Sequence, residues 1–279
     1  MTGISVEVMP DSGAPHVGVT VDGLAVGSPS VVSVEWSTDG VSWSPVRGAQ
    51  RVSVIEAGFW RDLLCPLSVL VTYRLVVHSG SVIPDTLTAA ITVPSATGWV
   101  QDPLSPRRAV ALSMSSMGDG EVLLTSASLA EATHTQPADW VTPMGATLPV
   151  AAVGGRSMLA DFSLGLAYHV ASDAGALRSL LTGAGVLVLR GVSSPMLPPV
   201  VHVVASSVSE GVLGAGAGQV SVWSLSVSQV APPSARIVVP WWTYEQVAAL
   251  WPGSSYAVVM AARPGASYLD FLRDPTPGG

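Results

Sequence analysis

Alternating apolar and polar positions dominate the first 95 residues and predict short β-strands. Val32, Val34 and Trp36 alternate with serine and glutamate, as in a strand with one buried and one solvated face. Other apolar runs are separated by turn residues. We predict strands at Ile4–Val8, Val17–Val21, Val31–Trp36, Val41–Val46, Val52–Ile55, Val69–Val77 and Leu87–Val93. Seven short strands in residues 1–95 are typical of an immunoglobulin-like or fibronectin-type β-sandwich.

A tight hairpin is predicted at the end of the third strand. Asp39 and Gly40 separate two runs that each carry a tryptophan, and Asp-Gly favours a two-residue turn. In that register Trp36 lies directly across from Trp43. A three-residue turn with Gly40 in a bulge would instead send Trp43 to the other face of the sheet. Packing is the favoured role of these tryptophans; the alternative is a glycan contact that includes Trp43 and Trp60.

The pattern changes near residues 94–106, which are rich in proline, serine and glycine. We predict a linker at 96–106, in which Trp99 fills the seam between two domains. The second domain, 107–240, is again mainly β, with one helix within 170–183, where apolar residues at helical spacing end at a glycine. Its predicted strands are Ala109–Met114, Glu121–Thr125, Leu148–Val153, Ser157–Ala167, Val186–Leu189, Val200–Ser206 and Val220–Val230.

The C-terminal segment, 241–279, repeats with a period of twelve residues. Tyr244, Tyr256 and Tyr268 each follow a serine or threonine, and Pro-Gly pairs recur in step after the first two. A hydroxyl residue caps a helix start and Pro-Gly stops a helix, so each unit is predicted to be a short helix. Because repeated units stack and share a core, this segment favours assembly over catalysis.

Composition supports a protein that associates with other chains. Nearly half of the residues (48%) are apolar, only 11% are charged, and the mean hydropathy is +0.49. No apolar run approaches the roughly 18 residues of a membrane helix, and the start lacks signal-peptide features. We therefore expect apolar surface to be buried between subunits. Besides Trp99, the predicted packing or interface residues are Trp241, Trp242, Tyr244, Tyr256 and Tyr268.

Residue usage argues against several kinds of chemistry. The chain has no lysine, which excludes Schiff-base lysines and Walker A phosphate loops. A net charge of −7 with scattered arginines argues against a nucleic-acid surface. The single cysteine, Cys65, is interpreted as a buried apolar residue. Histidines and acids form no pattern of a metal site or catalytic pair, so we predict no catalytic, metal or cofactor site.

Several segments together resemble a known family. Residues 36–43, 62–67 and 71–75 resemble the fibronectin-type domain of minor tail proteins from siphophages that infect actinobacteria, and 97–106 is similar to the segment after that domain. The C-terminal repeats resemble the ends of those proteins. A helix leading into the apolar strand at 186–189 is similar to the tube-type β-barrel of phage tail proteins. The resemblance implies a sandwich, a tail-tube-like barrel with one helix, and a tail of short helical repeats.

The function that this resemblance implies is structural. We expect a non-enzymatic virion protein at the phage tail tip, a minor or distal tail protein, that assembles into a ring or hub and contributes to host adsorption. Its expected partners are copies of itself, as a hexamer or trimer, and other tail proteins, with no nucleic acid and no membrane insertion. The alternatives are a carbohydrate-binding adhesin, with a host cell-surface glycan as partner, and a cell-wall depolymerase.

Overall fold

A computed structural model gives the fold of this chain. The structure describes residues 2–9, 13–80, 86–115, 122–125, 131, 133–136, 138–155, 159–169, 175–194, 196–214, 219–239, 241–242, 244–263, 270–271 and 274–276. The chain divides into two compact units. Unit 1 comprises 1–95, 104–107 and 233–279, and unit 2 comprises 96–103 and 108–232.

Unit 1 contains two antiparallel sheets. One is three-stranded in the order β1-β2-β6, with β1 Gly3–Val8, β2 Val17–Asp22 and β6 Gly58–Asp62. The other has the order β4-β3-β7-β8, with β5 also paired to β3. Its strands are β3 Ser30–Ser37, β4 Ser44–Pro45, β5 Val52–Val54, β7 Leu70–Ser79 and β8 Thr88–Thr92.

Alternating residues of these strands form the core of unit 1. Val71, Tyr73 and Leu75 on β7 are buried, while the residues between them are more exposed. The Tyr73 hydroxyl donates a 2.9 Å hydrogen bond to the buried Asp62 carboxylate on β6, which joins the two sheets. Cys65 is fully buried, which confirms its predicted packing role.

The predicted two-residue turn at Asp39-Gly40 is wrong. Trp36 pairs with Ser44, not Trp43. Trp43 lies under Arg74, which pairs with Glu35 on the face opposite to Trp36, so the alternative that placed Trp43 on the other face of the sheet is confirmed. The Asp39 carboxylate accepts hydrogen bonds from the backbone N–H groups of Val41 and Ser42 at 2.8 and 2.7 Å. An aspartate that bonds the backbone ahead of it builds an Asx turn, and this local bonding holds the wider loop.

Unit 2 is a closed seven-stranded β-barrel, so the coarse expectation of a mainly β chain with a barrel is confirmed. Around the barrel the strand order is β10-β11-β14-β17-β16-β15-β9. The strands are β9 Gly98–Asp102, β10 Ser105–Ser113, β11 Val122–Leu124, β14 Phe162–His169, β15 Leu187–Arg190, β16 Val200–Leu213 and β17 Val220–Gln229.

Inward-facing side chains fill the barrel. On β17 the inward positions are Ser221, Trp223, Leu225 and Val227, so Trp223 marks the buried face. Helix α1, Gly175–Gly183, adds Leu177 and Leu180 to the same core. Leucines three positions apart lie on one face of a helix, which explains why this short segment packs against the barrel.

The linker predicted at 96–106 contains strand β9 and the first residues of strand β10. Trp99 lies on β9, half-buried and opposite Arg190 on β15. The proline, serine and glycine content of this stretch had indicated a linker. Pairing around the barrel, which involves residues far apart in sequence, makes these segments strands.

Two short helices lie in the C-terminal segment, which belongs to unit 1. Helix α2 spans Tyr244–Leu250 and helix α3 spans Tyr256–Ala261, so their first residues are twelve positions apart. Tyr268 lies outside the described residues. The three-unit helical repeat therefore stays a prediction.

Candidate interaction surfaces and a candidate binding cavity

A two-stranded hairpin in unit 2 exposes an unusual amount of apolar surface. Strand β12, Ala138–Val141, pairs only with β13, Val150–Val153, among the described strands, and all eight residues are exposed. Trp140 is 69% exposed and Leu148 is 76% exposed. Met144 in the connecting loop is fully exposed. An isolated two-stranded hairpin is marginally stable in water, and an exposed apolar surface of this kind is a candidate contact surface.

The outer part of β16 offers a second open edge. Strand β15 pairs only with residues 200–203 of β16, whereas β17 follows β16 to Leu213. A register shift in the β16–β17 pairing, between Ala205 and Ser207, lies just beyond the residues of β16 that pair with β15. Residues 207–213 pair with β17 along one edge, and no described strand pairs with their other edge; these residues are exposed. Unpaired N–H and C=O groups along such an edge can pair with another strand.

A polar cluster ties α1 to the β16–β17 hairpin. The Glu210 carboxylate accepts hydrogen bonds from Arg178 at 2.7 Å, Ser221 at 3.0 Å and Tyr168 at 3.4 Å. Desolvation raises the pKa of Glu210, but the hydrogen bonds from Ser221 and Arg178, the charge of Arg178 and the Tyr168 hydroxyl outweigh it and lower that pKa overall. The cluster favours the ionised form of Glu210. Its hydrogen bonds hold α1 against the β16–β17 hairpin.

Unit 1 contains a cavity of ≈ 420 Å³ between strand β6 and the C-terminal segment. Five aromatic residues and two arginines line it, together with valine, proline and glycine. The lining residues are Arg47, Gly48, Phe59, Trp60, Arg61, Val238, Val239, Trp241, Trp242, Val247, Phe271 and Pro275. Gly48 N–H donates a 2.7 Å hydrogen bond to the Ala235 carbonyl, which holds the stretch just before the C-terminal segment beside the loop that carries Arg47.

Trp241 is the packing centre of this region. Its ring lies 4.5 Å from the His16 ring, and the guanidinium groups of Arg61 and Arg107 lie 5.5 and 4.7 Å from it. Arg107 also lies 4.4 Å from the ring of Trp242. Cation–π contacts of this kind contribute about 0.5–2 kcal/mol each. They fix both adjacent indoles within one unit.

His16 sets the position of Arg61. The buried His16 ring lies 3.2 Å from the Ala14 carbonyl through Nδ1 and 2.9 Å from an Arg61 terminal nitrogen through Nε2. Because a guanidinium can only donate, Nε2 accepts and Nδ1 carries the proton that bonds Ala14. The neutral ring thereby orients Arg61 toward the aromatic side chains.

The indole N–H groups of Trp241 and Trp242 are buried without hydrogen-bond acceptors among the described residues. Buried donors are paired in most proteins, since an unpaired one costs about 1–3 kcal/mol. Both tryptophans line the cavity. Because neither indole nitrogen has appreciable accessible surface, neither opens onto the cavity.

The structure separates the predicted aromatic residues into different environments. Trp60 lines the cavity, whereas Trp43 lies under the Arg74 guanidinium at 4.0 Å. Trp241 is packed within its own unit, at 9% exposure, and Trp242 is half-buried beside it. The backbones of Tyr244 and Tyr256 begin α2 and α3, and their side chains lie outside the described part, as does all of Tyr268. Their interface role stays a prediction.

Sequence reasoning missed several cavity residues. Strand β6 was not predicted because Phe59, Trp60 and Arg61 do not alternate in polarity. Arg47 follows a predicted strand and carries no motif. The signal that could have drawn attention is the run Phe59-Trp60-Arg61, in which two adjacent aromatic residues precede an arginine.

Other kinds of site find no support in the described ranges. Nowhere in them do three or more His, Cys, Asp or Glu side chains gather as a metal centre would need. Each helix there falls short of the length and hydropathy that spanning a lipid bilayer requires. Comparison of the chain with protein-family models, curated proteins and solved structures finds no match.

Proposed function

We propose that this chain is a non-enzymatic structural subunit of a siphophage tail tip, a minor or distal tail protein that assembles into a ring or hub. The exposed β12–β13 hairpin is the observation that carries the assembly part of this proposal. Burying a large apolar side chain contributes about 1.5–3 kcal/mol, and the hairpin presents Trp140, Met144 and Leu148 to solvent. Packing on a neighbouring subunit would recover that free energy.

The closed barrel would provide a rigid base for the β12–β13 hairpin. Its closed wall leaves strand edges mainly at the outer part of β16, beside the Glu210 cluster. In a closed ring, the hairpin of one subunit would meet a different surface of the next, a head-to-tail contact that repeats around the axis. Interfaces that persist bury about 800 Å² or more per partner. The hairpin together with this edge would supply such an area.

The tail-tip assignment depends on the family resemblance of the sequence. Under this proposal the two sheets of residues 1–95 form a fibronectin type III-like sandwich, and the C-terminal helices belong to a repeat that contacts other tail proteins. Host adsorption would involve unit 1, whose cavity could take a surface ligand. Labelling of intact phage particles with an antibody to this chain would place it at the tail tip; absence of label from the whole tail would contradict the assignment.

Sedimentation of the full chain tests the assembly step. We expect an oligomer at micromolar concentration, and a shift to monomer when Trp140, Met144 and Leu148 are all changed to serine. The matched control changes Val26 and Val41 to serine, which are equally exposed but lie in unit 1. This control should leave the oligomer unchanged. A monomeric wild-type chain, or equal effects of the two variants, would refute assembly through the hairpin.

A further inference from the structure

The outer edge of strand β16 is accessible to another strand. Residues 207–213, the β16 edge, pair with β17 on one side, and no described strand pairs with the other side. Ser207, Ser209 and Gly211 share one face of the strand, since side chains alternate. A Cβ atom added at Gly211 would meet only the Val222 carbonyl oxygen, at 4.0 Å. These small residues leave the backbone N–H and C=O groups of the edge open to approach.

Residues that commonly block an edge strand are missing from the β16 edge. Natural edge strands often carry lysine or proline, which prevent pairing with another chain. The β16 edge contains neither, and its one charged residue, Glu210, is held by Arg178 at 2.7 Å. Val208 and Val212, on the same face as Glu210, are exposed. An added strand would therefore gain backbone hydrogen bonds and contacts with two valines.

Charge decides which strand fits this edge. Two copies of the edge that paired antiparallel about its middle would set Glu210 against Glu210 of the second copy, and like charges directly opposite are destabilising. Strand β12 carries Asp139, which would also bring an acid close to Glu210. Strand β13 reads Val-Ala-Ala-Val and carries no charge. All four of its residues are exposed, and it pairs with no described strand besides β12.

We propose that β13 of one copy of this chain pairs with the β16 edge of the next copy and extends the β16–β17 sheet. Each face of β13 carries one valine and one alanine, so in either orientation a valine packs beside Val208 and Val212. The contact is head-to-tail, because every copy offers one strand and one edge. This inference rests on the proposed assembly through the β12–β13 hairpin and identifies the surface that receives the hairpin.

A charged side chain on the β16 edge tests the receiving surface. Gly211→Lys places a lysine where space is available, and we expect the full chain to dissociate at a protein concentration at least tenfold higher than the wild type does in sedimentation. The matched control is Gly185→Lys, which makes the same change at an exposed glycine of unit 2 with open space around an added Cβ. It should associate as the wild type does. Equal effects of the two lysines would contradict the pairing.

Cysteine pairs identify the strand that occupies the edge. Whichever four residues of the β16 edge face β13, one of its two alanines lies opposite position 209 or 211. Full chains with Ser209→Cys or Gly211→Cys are therefore mixed with full chains with Ala151→Cys or Ala152→Cys and oxidised. We expect a disulfide-linked dimer of the two chains in at least one of the four mixtures, because directly opposed residues have the Cα separation that a disulfide needs.

Failure of the pairing and failure of the assembly give different results. An oligomeric wild-type chain in which none of the four mixtures links would overturn the pairing of β13 and leave the assembly standing. A link between Ser209→Cys and Gly211→Cys chains would overturn it too, because two edges would then meet each other. A monomeric wild-type chain at micromolar concentration would refute both. If Gly211→Lys does not fold, the cysteine variants at Ser209 and the two alanines still decide, and Cys65 is buried and common to all of them.

Discussion

Two hairpins of unit 2 carry similar residues in opposite surroundings. Strand β17 of the β16–β17 hairpin lies in the barrel wall between β14 and β16, where Leu225 is 1% exposed. The β12–β13 hairpin carries equally apolar side chains, yet Leu148 is 76% exposed. Both contain strands of valine, alanine and tryptophan. Apolar composition alone therefore does not decide whether a side chain is buried within the chain. The closure of the sheet into a barrel decides which of the two hairpins is buried.

Truncation of one leucine in each hairpin should give the largest difference. Leu225→Ala removes side-chain volume from the filled barrel, and we expect a loss of about 3 kcal/mol in the free energy of unfolding. Leu148→Ala leaves no cavity and should change it by under about 0.5 kcal/mol. Chemical denaturation of both variants at low protein concentration measures this. Similar losses in the two variants would mean that the hairpin is already covered in the single chain.

Burial should also decide how much a hydrogen bond stabilises the protein, with a smaller effect than for the two leucines. Tyr73→Phe leaves the buried Asp62 carboxylate without one donor, and we expect a loss of about 1–2 kcal/mol. Tyr168→Phe removes a longer, 3.4 Å bond to Glu210, which keeps Arg178 and Ser221. That variant should lose under about 0.5 kcal/mol. Chemical denaturation measures both losses. A larger loss in the free energy of unfolding for Tyr168→Phe than for Tyr73→Phe would show that the Glu210 cluster, and not burial, decides how much such a hydrogen bond stabilises the protein.

The exposed turn at Asp39 should give the smallest effect, visible only in acid. Hydrogen bonds from the backbone of Ser42 and Val41 and from the Ser37 hydroxyl hold the pKa of Asp39 well below its usual range. Its stabilising contribution is therefore complete above the ordinary carboxyl pKa of about 3.9 and declines as the pH falls through the lower folded-state pKa.

Asp39→Asn isolates this contribution, because asparagine keeps an acceptor oxygen and does not titrate. Stability of the variant should fall less steeply than that of the wild type as the pH drops from about 5 toward 2. Thermal unfolding measured across this range provides the comparison. Parallel curves for the two proteins would contradict a role for the Asp39 carboxylate in the turn.

Part of the fold could be predicted from local patterns. Strands β2, β3, β7 and β17 carry alternating or continuous apolar runs, and α1 carries leucines at helical spacing. These patterns report which face of a segment is buried and need no knowledge of its neighbours. The patterns failed at β6 and β9, whose residues do not alternate and whose pairing partners are far away in sequence.

The candidate cavity could not be predicted in the same way. Its walls come from Arg47, from strand β6 and from a C-terminal segment nearly two hundred residues later in the chain. Trp60 was identified as a possible glycan contact and does line the cavity, but its neighbours Phe59 and Arg61 were not. Individual residue types suggest stacking or charge. The cavity forms only where distant segments of the chain bring these residues together.

The sequence by itself determined that the chain is mainly β, that it is rich in apolar residues, and that Cys65 is buried. These properties follow from the period of side-chain direction along a strand and from the transfer of apolar groups out of water. The tertiary structure alone decided that seven strands close into a barrel, that one hairpin stays uncovered, and that two arginines meet five aromatic residues. Those outcomes depend on pairing between distant segments, which no local pattern encodes.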